Sequence, residues 1–583
     1  MMKVRNFVTI TIVIAIVFFL FASQGMARLS MSDKGENHYA TSLGNDKDNS
    51  DALKNINSNR NYIFVGRDKS LYHTARQYAI IRHASLHKTL SIAKAASEKS
   101  GENTVYLIDG SLISQSDIYD INEILDHQSV IVFMTLPDEK LIESSGTLRD
   151  ILGIQRTRGD IHIKGYQLFK NFMLGGEAYY VEDKVEKGEK PRQDLPLDIT
   201  YYEVASACRS YMIGQIDPRK QDIKDLDNDN TKNIDAEDYP AVIWQHSPEK
   251  GHVFCINGDF MKNDTGLGIL SGIEYETSDY LISSFADARS FVVQNFPDLA
   301  DENDDQINEL YGQNPYNFQR NVLWPFIVSA ASINNDRITA MAADHIKMGT
   351  GLYSRMDSYL TLAENERAEL GAMGEGASLV QKGLSATFPD YDITSFYGQG
   401  DKGVVLTDDG KYLYGMNDKT LDIRTTLSAD EMKYSDDLRF RGVVSATGYY
   451  VTTLDVSKVI YPESKGDRYE KVTRRTNGNL NSYYGKFSYL DALPLSQAAR
   501  KIENLADSDY RVVSSSKDDK KVVMRVENPQ QSSEFLLRTH GQGISAIEGA
   551  TYEKIEDDSY IIKASDSDIV IRFVDEDKPD LTE

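Results

Sequence analysis

Cysteine is nearly missing from this sequence: Cys208 and Cys255 are all it has. Two thiols cannot build the disulfide framework of a small secreted domain, and no cysteine-based zinc site can be made from them. A bond between the two is chemically allowed outside the cell, beside the plainer reading of two buried free thiols. Basic charge is also short. The chain carries 64 Lys and Arg against 89 Asp and Glu, a formal net charge of −25. No dense Lys/Arg patch offsets that balance, so nucleic acid, whose phosphates would be repelled, is excluded as a partner. No GxSxG, Walker loop or GxGxxG stands in a strand–turn–helix setting, and Gly374-Glu375-Gly376 is too short a match to mean anything. There is no internal repeat.

Long apolar runs are absent but for one. Lys3 and Arg5 precede Phe7–Ala22, rich in Ile, Val and Phe, in the order of a signal peptide's basic and apolar regions. At about 16 residues the run is short of the roughly 20 that cross a bilayer. Gly25-Met26-Ala27 suits a signal peptidase, so residues 1–27 are a signal peptide or a membrane anchor. An uncleaved single anchor with the bulk extracellular is favoured, and cleavage after Ala27 would give a secreted protein. No cysteine follows the run, which excludes a lipoprotein anchor. Residues 28–60 are polar, as a flexible linker should be.

What remains of the 583 residues is ordinary globular sequence, 40% hydrophobic and 26% charged, enough for several cores. Apolar strands at 61–65, 105–109 and 130–134 alternate with helical patterns at 70–97, 116–127 and 138–153. That alternation predicts a parallel sheet covered on both faces. A β-like stretch follows from Ile161 to Val181, then a helix-compatible one around Tyr201–Met212. A hairpin from 241 to 260 and helical periodicity over 266–298 complete an open α/β domain spanning 61–311.

The segment Gly312–His345 reads as a seam. Gly312, Asn314 and Pro315 close what precedes, and an apolar run, Val322–Val328, leads to a strand over Arg337–Ala343. Beyond it the pattern predicts a helix over Met356–Leu370, strands at 392–397, 421–426 and 442–454, and a helix over Leu495–Leu505. A second α/β unit, an irregular β/α barrel, therefore spans 312–511. Short alternating strands from 512 to 576 predict a small antiparallel β domain.

Candidate chemistry collects at strand ends. Asp344 and His345 follow the first strand of the second unit, where α/β domains place their sites, and both are good ligands for zinc or a similar divalent metal. Glu375, Asp422 and Arg424 lie near other strand ends and could line the same mouth, with Asp344, Glu375 and Asp422 as catalytic carboxylates. Asp455 is a comparable choice. Three other groups have plain alternatives. His83 and His87, four apart on a predicted helix, could share a metal or be ordinary half-buried histidines. Asp225 to Asn230 has the alternate acidic spacing of a calcium loop, but its twelfth position is Ala236 with Glu237 one place late, so a solvated acidic loop is favoured. Leu406-Thr407-Asp408-Asp409-Gly410 approaches a metal-and-base motif of deacetylases, and an Asp-Gly hairpin into Lys411–Tyr414 accounts for it better. The 34 tyrosines could stack on sugars, though core and surface packing accounts for them more simply.

Three longer blocks carry a resemblance: NPYNFQRNVLWPFIVSA at 314–330, YSDDLRFRGVVSATGYYVTTLDVSKVIYPESKGDRYEKV with NGNLNSYYGKF after it at 434–487, and EFLLRTHGQGISAIEGATYEKIEDDSYII at 534–562. The chain resembles a Gram-positive family similar to the deacetylase-bearing portion of PelA, from Pel exopolysaccharide systems, without the glycoside hydrolase domain. The resemblance covers most of 60–575. It implies a flavodoxin-like, amidotransferase-like domain, then a deacetylase-like β/α barrel, then a β domain. It also implies an extracytoplasmic protein of exopolysaccharide biosynthesis that deacetylates an amino-sugar polymer with a divalent metal, beside other synthesis and export proteins. The alternative is a non-enzymatic polysaccharide-binding or scaffold protein with degenerate enzyme folds. The chain departs from the pattern where chemistry is concerned. There is no complete TFDDG, no HxxxH after it, and no Cys on a nucleophile elbow in the first domain, which is therefore expected to be non-catalytic.

Overall fold

The computed structural model describes residues 60–97, 103–127, 129–181, 191–216, 239–248, 251–298, 304–342, 353–372, 377–391, 393–398, 404–408, 411–412, 426–527, 529 and 533–575. In the first sheet, successive residues of each apolar strand feed opposite cores, as the pleat requires. Tyr62, Phe64, Val105, Leu107, Val130, Val132, Phe254 and Ile256 enter one cluster. Their neighbours Ile63, Val65, Tyr106, Ile108, Ile131, Phe133, Val253 and Cys255 enter the other. Burial on both faces is why these strands read as unbroken apolar runs.

The sheet has nine strands. Asn61–Val65, Ser85–Thr89, Thr104–Asp109, Val130–Thr135 and His252–Ile256 run parallel. Ala241–His246, Arg209–Gln215, Gly165–Leu168 and Ala178–Val181 extend it antiparallel. Two helical expectations fail here. The first helix stops at Ile81, His83 turns the chain at φ 50°, and Ser85–Thr89 is an edge strand. Asp198–Val204 and Arg209–Gln215, expected as one helix, are two strands. The cysteines are both free, Cys255 buried and Cys208 half-buried.

The second sheet has eight strands. Ala288–Gln294 lies at its centre between Ile338–Ala342 and Tyr449–Asp455, parallel to both. Glu369–Ala372 and Ile393–Gly398 continue the parallel order on one side and Thr426–Ser428 on the other. Val404–Asp408 and Lys411–Tyr412 close one edge as an antiparallel hairpin, the better of the two readings of the Asp-Gly stretch. A barrel was expected; among the described residues no ladder joins the two edges of this sheet.

Two four-stranded antiparallel sheets follow. Their shared core is formed by Ile282, Val522, Met524, Phe535, Leu537, Ile562, Ile569 and Ile571, among others. One of those strands, Leu281–Ser284, comes from the middle of the chain and pairs with Glu534–Arg538. Sheet membership therefore changes near residue 280 and not at 311–312. The stretch 266–298, expected to be helical, is helix only in Thr265–Glu276 and then two strands. The seam itself is helical: Pro315–Phe318, a π-helical turn at Gln319–Leu323, and Trp324–Ile333.

The first two sheets are joined at a helix crossing. A Cβ on Gly268 of Thr265–Glu276 would stand 2.5 Å from the Cα of Gly442 in Tyr434–Thr447. One on Gly442 would stand 2.3 Å from the Asp264 carbonyl oxygen, so only glycine admits this approach. Gly442–Thr447, expected as part of a strand, belongs to that helix, and Tyr449–Asp455 alone is the strand.

Candidate functional site

Parallel strands present all their carboxyl ends at one edge, and the second sheet has six of them side by side. The central strand ends at Gln294 and turns through Asn295, held at φ 56°. The Asn295 amide donates to Asp455 Oδ1 at 2.9 Å. The Ser457 amide and hydroxyl donate to the same oxygen at 3.0 and 2.7 Å. All three bonds fall on Oδ1, which leaves Oδ2 without a partner among the described residues. A carboxylate oriented through one oxygen in this way is how ligating or basic carboxylates are commonly fixed.

The floor behind Asn295 is fixed as well. Buried Gln319, in the π-helical turn, accepts from the Asp298 amide at 2.9 Å and donates to the Asp298 carbonyl at 2.6 Å. The cavity beneath, between Phe296, Ala342, Met356, Tyr359 and Leu384, is apolar and only about 10 Å³. It is no substrate site.

Asp430, two residues past Thr426–Ser428, is nearly sealed from solvent. It accepts from the Ser428 hydroxyl at 2.7 Å and lies 3.5 Å from Arg475 and 3.7 Å from Lys458. Two cations against one carboxylate leave little attraction for a metal ion, so Asp430 is a structural anchor for this edge.

Asp344, His345, Glu375, Asp422 and Arg424 lie outside the described residues, as does the acidic stretch from Asp225 to Glu237. Chain order still limits the first three. Asp344 and His345 come two and three residues after the strand Ile338–Ala342, and Glu375 three after Glu369–Ala372. The His83–His87 pair is not on one helix. His87 is in the edge strand, and His83 Nε2 lies 3.1 Å from the Leu505 carbonyl.

A second acidic cluster was not foreseen. Asp287, Asp491 and Glu534 bring one oxygen each within 4.8 Å of one another. Two lysines already fill it. Lys501 Nζ donates to both Glu534 oxygens at 3.0 and 2.9 Å and to Asp491 at 2.9 Å. Lys563 Nζ donates to Asp287 at 2.9 Å. Burial pushes the Glu534 carboxyl up to about 7, against the pull of Lys501. Burial works against the Lys563 ammonium too, but Asp287 beside it lifts its pKa above the ordinary lysine value. The donors suit a divalent ion; the neighbouring ammonium groups occupy its place. This is an ionic joint. It ties the central strand of the second sheet to the β-sandwich.

No family model matches the chain, and no curated protein is similar to it by sequence. Among solved structures it is similar to Agd3, a carbohydrate deacetylase, with a TM-score of 0.40 and 8% identity over 88% of this chain and 98% of that one. The exo-β-1,4-mannosidase Op5Man5 from Opitutaceae bacterium strain TAV5 has a TM-score of 0.22 and 10% identity, over 37% of this chain and 35% of that one. A ThuA-like protein from Bacteroides uniformis has 0.23 and 9%, over 38% of this chain and 94% of that one. At these TM-scores the likenesses decide neither fold nor activity.

Proposed function

We propose that this chain acts on an amino-sugar polymer outside the cytoplasm, and that the carboxyl edge of the second sheet removes acetyl groups with a divalent metal. One observation carries the reading. Neighbouring parallel strands each lead, at their last residue or within three after it, to a group suited to this chemistry. In sheet order these are Glu375, Asp344 with His345, Asn295 and Asp455. Asp455, oriented through one oxygen and open at the other, fits a metal ligand or general base. Asp344 and His345 would be further ligands. A bound zinc or similar ion would polarise the acetyl carbonyl and activate water. The sequence resemblance to the PelA-like family and the N-terminal apolar run support the polymer and the extracytoplasmic setting.

The test is acetate release from acetylated galactosamine and glucosamine oligomers, with added zinc or cobalt and with chelator. Metal-dependent release, lost in both Asp344→Ala and Asp455→Asn, is the expected result. Release indifferent to metal and to both substitutions would sink the site.

A second reading, a polysaccharide-binding scaffold without turnover, is favoured by the way Asp430 and the acidic cluster are committed to internal cations. Sugar binding with no acetate released under any metal would decide for it.

A further inference from the structure

The opposite, amino-terminal edge of the second sheet holds a cavity of about 410 Å³. That is within the range of about 300–1,000 Å³ in which proteins hold small ligands. Arg289 and Tyr450, facing each other in register near the starts of their strands, form its floor with Leu480 and Tyr484. The walls are the turn Asn334–Asp336 and the stretch from Asn481 to Ser488.

Arg289, in the floor, pins the Asn334–Asp336 wall and is used up in doing so. Its Nε donates to the Leu490 carbonyl at 2.9 Å, and Nη2 donates to the carbonyls of Asn334 at 3.0 Å and Asn335 at 3.3 Å. Nη1 donates to Asp336 Oδ1. The cavity is thus preformed, and its one pair of opposite charges is neutralised internally. Neither an anion nor a cation finds an uncompensated partner. The side chains of Asn335, Asn481 and Ser488 are left with no hydrogen bond among the described residues. Each both donates and accepts. Ile333, 65% exposed, adds an apolar surface at the rim.

A ligand that fits must be uncharged, must donate and accept at several points, and must offer an apolar face. We infer that this cavity is a binding site for a neutral saccharide unit, separate from the chemistry at the carboxyl edge. Ring hydroxyls would meet Asn335, Asn481 and Ser488, and the C–H face of the ring would meet Ile333.

The experiment is calorimetry and saturation-transfer NMR on the full chain with N-acetylglucosamine and N-acetylgalactosamine trimers. Inorganic sulfate and ethylammonium serve as charged probes. Asn481→Ala and Asn335→Gly remove the amides, and the second keeps the left-handed turn at φ 55°. Both positions are exposed, and thermal melting checks that the fold is retained. Under chelator, saturable sugar binding at least tenfold weaker in each variant is expected. Sugar binding untouched by the two variants would overturn the assignment, as would the absence of sugar binding or a preference for either charged probe. Acetate release under added zinc reads the carboxyl edge and sugar binding under chelator reads this cavity, so failure of one site is told apart from failure of the other.

Discussion

Asp336 shows how burial alone makes a residue sensitive to pH. Its carboxyl is pushed up to about 6 by burial, even with Arg289 alongside. The folded state therefore holds a proton that the unfolded chain, with an ordinary value of 3.8, gives up. The stability this contributes is fully present below pH 3.8 and is lost as pH rises through 6, a difference of order 3 kcal/mol. The melting temperature should fall more steeply between pH 4 and 6.5 in the wild type than in Asp336→Asn, as followed by circular dichroism. At the other edge, Asn295→Gly, which keeps the left-handed turn, would release Asp455 from its only side-chain amide. If Asp455 is the ligand or base proposed, metal-dependent acetate release should fall by about 10–100-fold while thermal melting barely moves. Asp455 was legible in the sequence, because a carboxylate closing an apolar strand stands out. Asn295 was not. It sits in a stretch whose apolar spacing passes for a helix, and its left-handed turn leaves no mark in composition.

Among the elements, two glycines in helices should answer oppositely to the same change. Gly442→Ala drives a methyl into the backbone of the crossing helix and should destabilise the protein by roughly 1–3 kcal/mol or more in urea unfolding. Gly478→Ala, in the helix Tyr469–Asn479 with nothing within 4 Å of the new Cβ, should stabilise it by about 0.5–1 kcal/mol. The strands that were legible are those buried on both faces, 61–65, 104–109 and 130–135, since a continuous apolar run has few other uses. Edge and antiparallel strands such as Ser85–Thr89 and Asp198–Val204 were missed, because one wet face dilutes the apolar pattern to something a helix fits as well. The helix Tyr434–Thr447 was hidden in the reverse way. It is buried nearly all round, so it shows no amphipathic period at all.

For the molecule as a whole, the ionic joint of Asp287, Asp491 and Glu534 with Lys501 and Lys563 ties sheets that the sequence reading kept apart. Lys501→Met leaves buried carboxylates short of a cation, and about 3–5 kcal/mol should be lost in denaturant unfolding. With Lys563→Met added, millimolar calcium should recover part of that loss, because three carboxylates would then face a vacant centre. The apolar parallel strands and the short alternating strands beyond residue 512 were legible, since each kind has its own periodicity. The joints were not, because the pairs of Asp287 with Lys501 and Lys563 join residues more than two hundred positions apart and leave no local pattern. The strand Leu281–Ser284 has one more consequence. The sandwich borrows it from a part of the chain that leaves the ribosome long before residues 512–575 exist, so this last region cannot ripen during synthesis as a free-standing unit. A gene fragment beginning at 512 would yield a polypeptide with an open, sticky flank. One beginning near 277 would carry its own missing piece.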